Sequence, residues 1–158
     1  MNIELVIAAI ETGKEPAISA LLDDESTVFW VDWREEDDAI VEYCESILQT
    51  GELAAEIVDS DSDAGFGLYI TFRGNRSRVP LVIGSEDRHI TIVVLNEILK
   101  PAFEIRLCVD SNGSDTLAFI PLPCETWEQL ERQFSDRITN RFYCLQESPN
   151  VFTDPLPF

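Results

Sequence analysis

Asp59-Ser60-Asp61-Ser62-Asp63 places three carboxylates at alternate positions of one short segment, a spacing at which oxygens can converge on a hard cation. The rest of a calcium loop does not follow. With Asp59 as position 1, the sixth position is Ala64 instead of glycine, the twelfth is Ile70 instead of glutamate, and the next element reads as a strand. A solvated turn accounts for the same residues. Asp110-Ser111-Asn112-Gly113-Ser114-Asp115 has a similar look, but Asn-Gly between alternating segments is a hairpin signal. His89 is the only histidine, so acid–base or nucleophile-activating chemistry at neutral pH would need it or a shifted carboxylate. No local motif joins it to Cys108 or Cys124, and a structural role is expected. The chain has no GxSxG, HExxH or glycine-rich phosphate loop, and Gly65-Phe66-Gly67 precedes a strand and lacks the third glycine of a dinucleotide fingerprint. In so acidic a chain, a pair of carboxylates suited to glycoside chemistry carries no information by itself. No catalytic residue, cofactor site or metal site is therefore expected.

A different chemistry, that of interfaces, is suggested by Glu35-Glu36-Asp37-Asp38. Acids in the first turn of a helix stabilise its free N–H groups by about 0.3–1 kcal/mol each. Four in succession exceed that need. The run follows Trp30, Asp32 and Trp33 and precedes Glu42, so aromatic anchors stand beside steering charge. Trp30, Asp32, Trp33, Glu35, Glu36, Asp37, Asp38 and Glu42, with Asp59, Asp61 and Asp63, are the expected partner-binding residues. Arg73, Arg76, Arg78 and Arg88 are the one basic concentration, expected to pair with the protein's own acids.

The elements that must hold these residues follow from period and punctuation. Residues 2–12 carry Ile3, Val6, Ile7 and Ile10 at helical spacing before Gly13, and Pro16 can open a second short helix. Residues 27–33 are β-branched and aromatic enough for a strand. A helix then opens in the acidic run, with Ile40, Val41, Cys44 and Ile47 on one face, and is expected to end at Gly51. Alternation around Ala55 and Ile57, again over 66–72, and again through Val79, Leu81 and Ile83 predicts three strands, the last two joined at Gly74-Asn75. Residues 86–99 are β-branched, yet Ser85 with Glu86 and Asp87 at one end and Lys100-Pro101 at the other frame a helix. Residues 103–109 and 117–120 predict a hairpin around Asn112-Gly113, and 125–134 a helix. The sum is an α+β fold: a mainly antiparallel sheet of five to six strands with three to five helices packed on it, in a single domain spanning 1–158. Its apolar, proline-containing tail, 149–158, is expected to pack on the core.

The 158 residues include 30 Asp plus Glu against 11 Lys plus Arg, a formal net charge of −19, with 45% apolar residues. That apolar share supports a core. The charge disfavours direct contact with nucleic acid or an anionic membrane. It is also uneven: residues 1–63 hold 18 acids against Lys14 and Arg34, a net of −16, and the remainder a net of −3. Met1-Asn2-Ile3-Glu4-Leu5 lacks the basic start of a secretory signal, and no apolar run approaches the roughly 20 residues of a spanning helix. Cys44, Cys108, Cys124 and Cys144 contain no CxxC pair and are expected as buried, reduced thiols of a cytoplasmic protein. Together these features point to an acidic binding protein that neutralises a basic protein partner, most naturally an immunity-type antidote to a nuclease-like toxin. A carboxylate-based, metal-dependent enzyme and a regulatory or scaffold domain are the alternatives.

Overall fold

A computed structural model describes residues 1–61 and 65–158. Among them are six α-helices and seven strands in element order α1 (Ile3–Thr12), α2 (Ala17–Leu22), β1 (Phe29–Asp32), α3 (Asp37–Leu48), β2 (Leu53–Asp59), β3 (Phe66–Phe72), β4 (Asn75–Val79), α4 (Asp87–Leu99), β5 (Phe103–Cys108), β6 (Thr116–Pro123), α5 (Cys124–Phe134), α6 (Asp136–Thr139) and β7 (Phe142–Cys144). The class is α+β and every strand pair is antiparallel. The strands are divided between two sheets, β1-β6-β5-β7 and β2-β3-β4, instead of forming one.

The division follows from what covers each face. α3 and α4 lie between the two sheets, and one apolar cluster joins Phe29, Val31, Leu107 and Phe119 of the larger sheet to Ile40, Cys44, Leu95 and Leu99 of the helices and Leu68, Ile70 and Phe72 of the smaller sheet. A helix with a sheet on each side must be apolar around most of its circumference. That is why 87–99 reads as strand by composition while its end signals read as helix. The opposite face of the larger sheet carries a second cluster, in which Ala118, Ile120 and Leu122 meet Val6 and Ile10 of α1 and Trp127 and Leu130 of α5. β1 reaches its partner across most of the chain: Phe29 lies opposite Phe119, their rings 5.7 Å apart.

Several boundaries differ from expectation for local reasons. The β3–β4 turn is Arg73-Gly74, not Gly74-Asn75: both residues have positive φ, 49° and 80°, as a two-residue hairpin with right-handed strand twist requires. β4 stops at Val79 because Pro80 cannot donate to a ladder, so Leu81 to Ile83 form a loop instead of continuing the strand. α3 ends at Gln49 in the left-handed conformation, whose N–H returns to the Glu45 carbonyl, two residues before Gly51. A short 3-10 turn, Val109–Ser111, replaces a tight hairpin at Asn112-Gly113. α6 and β7 were not expected; four and three residues are too few to show a period. In the tail, Val151 is buried and Phe152 and Leu156 pack on the central cluster. No helix is long and apolar enough to cross a membrane among the described residues.

Candidate partner interface

Glu36 precedes α3 in extended backbone without a side-chain cap bond, and Asp37 and Asp38 occupy the first turn. These neighbours have different fates. Asp37 turns inward: Arg88 of α4 donates to its two carboxylate oxygens at 2.9 and 3.0 Å, and the Thr91 hydroxyl donates at 2.8 Å. Burial raises its pKa above the ordinary carboxylate value, against the opposing pull of Thr91 and Arg88. Arg88 also lies 3.6 Å from Asp87, whose carboxylate accepts the N–H groups of Val82, Ile83 and Gly84 at 2.8, 3.0 and 3.3 Å. Asp37 is thus a structural anion that ties α3 to α4 and, through Arg88, to the β4–α4 loop. Expected among the partner-binding residues, it has its carboxylate engaged by Arg88 and Thr91 and its side chain 14% exposed.

Trp30 is not gathered with the acids of α3. Trp30 lies opposite Ala118 in the sheet, on the face that carries the second cluster, and its indole N–H donates to the Leu22 carbonyl at 3.1 Å. Strand alternation turns it toward α2 while Phe29 and Val31 face α3, and it stays exposed. Asp32 is engaged internally, accepting the Arg34 amide at 2.8 Å and the Arg34 guanidinium at 3.2 Å. Those two bonds hold its carboxyl below the usual range. Trp33 is exposed, with the Arg34 guanidinium 5.4 Å from its ring centroid. Glu35 accepts the amide of Glu36 at 3.2 Å and bonds the Tyr43 hydroxyl.

The acids that do converge line the seam between α3 and β2. Glu36, Asp37 and Asp38 share a small cleft, about 50 Å³, with Ile57, Phe66 and Leu68. Register puts Ile57 opposite Leu68 and Asp59 opposite Phe66, so all four lie on the sheet face that turns toward the helices. α3 begins too late to cover its end, leaving Ile57 55% and Phe66 38% exposed. Farther along the seam, Glu42 and Glu45 of α3 face Leu53, Ala54 and Ala55 of β2 across a cavity of about 380 Å³. Glu45 is committed to the helix end, accepting from the Thr50 hydroxyl and the Gly51 amide. Glu36, Asp38 and Glu42 make no ion pair among the described residues. Asp59 and Asp61 are exposed at the β2 end; Asp63 lies outside the described residues. Ile57 and Phe66 belong to the alternating runs expected as strands, and alternation marks the face of a strand but not how far its cover extends.

The remaining candidates are accounted for inside the fold. His89 is buried, its Nε2 2.9 and 3.1 Å from the Gln146 and Glu147 carbonyls, and its Nδ1 accepts the Val151 amide at 3.4 Å. The ring therefore carries its proton on Nε2 and clamps the C-terminal segment. Burial lowers its pKa, partly offset by the two carbonyl bonds. Arg73 and Arg76 pair with Glu52 and Glu56 of β2. Cys44 and Cys108 are buried, but Cys124 is half-buried and Cys144 exposed, so burial of all four thiols does not hold. Among the described residues, no group of three or more His, Cys, Asp or Glu side chains is placed to hold a metal ion. Compared with family models, curated proteins and solved structures, the chain matches none.

Proposed function

We propose that the protein binds and neutralises a basic protein in the cytosol, most naturally as an immunity-type antidote that covers the cationic site of a nuclease-like toxin. The observation that carries this reading is the pairing of uncompensated Glu36, Asp38 and Glu42 with exposed Ile57 along the α3–β2 seam. Apolar side chains give a partner something to bury, and the surrounding carboxylates raise its encounter rate and select its sign. A nuclease site is built to hold a polyanion through Arg and Lys, so it offers the complementary surface.

The test is capture from the native cell at low salt on immobilised protein, followed by a rising salt gradient. A basic protein that elutes with salt, and is not captured by the Glu36→Lys/Asp38→Lys variant, supports the reading. Equal capture by both would reject it.

A further inference from the structure

We infer that the free edge of β2 accepts an extended strand of the basic partner, with that strand's lysine or arginine side chains directed at the carboxylates of α3. This rests on the acidic-surface reading above and specifies how that surface is used.

Among the described residues β2 bonds to β3 alone, so half of the N–H and C=O groups in its seven residues point away from the sheet. Soluble proteins ordinarily protect such an edge with lysine, proline, a bulge or a short strand. The opposite edge of the same sheet is protected in this way: β4 is five residues long, carries Arg76 and Arg78, and is closed by Pro80. β2 reads Leu-Ala-Ala-Glu-Ile-Val-Asp, apolar except at Glu56 and Asp59, and has neither proline nor a base.

The chemistry beside the edge selects its occupant. The two clefts along the α3–β2 seam set Glu36, Asp38 and Glu42 next to this strand, with Ile57 exposed between them. A second copy pairing β2 with β2 would bring two such rows of carboxylates together, which like-charge repulsion opposes. An added strand with cationic side chains at alternate positions would place them over the acids of α3, their aliphatic stems against Ile57, and its remaining side chains on the opposite face beside Ala54 and Val58. Main-chain bonds to the edge would supply affinity, and the alternating cations would supply selection.

The experiment compares a peptide of about eight residues alternating lysine and valine, a usual strand length, with the same peptide N-methylated at every residue. Methylation keeps the charge pattern but removes the main-chain donors of both edges. Affinity is read by fluorescence anisotropy and protection by amide hydrogen exchange across residues 53–59. The expected result is slowed exchange in β2 and binding at least about tenfold weaker for the methylated peptide, whose edge facing β2 loses about four donors. Equal affinity of both peptides, or binding without protection in β2, would overturn strand addition while leaving the acidic-surface reading intact. Failure of both peptides to bind at low salt would overturn both.

Discussion

Arg88 of α4 and Asp37 of α3 form a two-point ion pair, 2.9 and 3.0 Å, directly behind the acidic cleft. The side chains are only 15% and 14% exposed, so the pair is shielded from solvent and holds the two central helices in fixed relation. It also removes one carboxylate from the row that a partner would meet.

Breaking this pair should cost far more than a surface ion pair. Asp37→Ala leaves Arg88 with Asp87 at 3.6 Å as its remaining anion, and the expected loss in urea unfolding is about 3 kcal/mol. The double variant Asp37→Leu/Arg88→Met should recover most of that loss. A single-variant effect below about 1 kcal/mol would mean the pair behaves as exposed and that the two helices are held by other contacts.

The β4–α4 loop stores local strain. Ile83 has φ 59°, a region costly for a β-branched residue, and is 62% exposed, so its side chain gains little packing in return. The Asp87 carboxylate maintains the conformation by accepting three consecutive amides. Ile83→Gly should raise stability by about 1 kcal/mol in thermal or urea unfolding, the relief of strain exceeding the added unfolded-chain entropy. No gain would show that Ile83 relaxes out of the left-handed region.

His89 should make stability fall with acid. Its folded pKa lies below the unfolded value near 6.5, so the unfolded chain binds the extra proton first as pH drops. The contribution is complete above the unfolded pKa and is lost as pH falls through the folded one. Protonated Nδ1 would also face the Val151 amide donor to donor. Unfolding free energies from pH 7.5 to 5 should therefore decline in the wild type relative to His89→Gln, with earlier hydrogen exchange in residues 145–154. Parallel pH profiles for the two proteins would remove the clamp from the account.

Much of the fold was legible where one face of an element is wet. α1, α3 and α5 each bury a single stripe, and their apolar residues mark it. α4 has no such stripe because both sheets cover it, and only Ser85, Glu86 and Asp87 at its start and Lys100-Pro101 after its end revealed a helix. The split into two sheets was not legible, since β1 pairs with β6 through residues as distant as Phe29 and Phe119. At the interface, residue type identified the acids but not their direction. Asp37 and Asp38 are adjacent and equally acidic, yet only Asp37 meets Arg88. Ile57 sits in an alternating run, and its exposure depends on where α3 begins, which is a tertiary fact.

The central claim is that the carboxylates at the start of α3 recruit a basic protein. It is tested most directly by association rates of the captured partner with wild type and with Glu36→Lys/Asp38→Lys, measured from about 0.02 to 0.5 M salt, a range that spans strong to nearly complete screening. The wild-type rate should fall steeply with salt, and the variant should start about tenfold slower and depend little on salt. Indistinguishable rates and salt slopes for the two proteins would contradict the account.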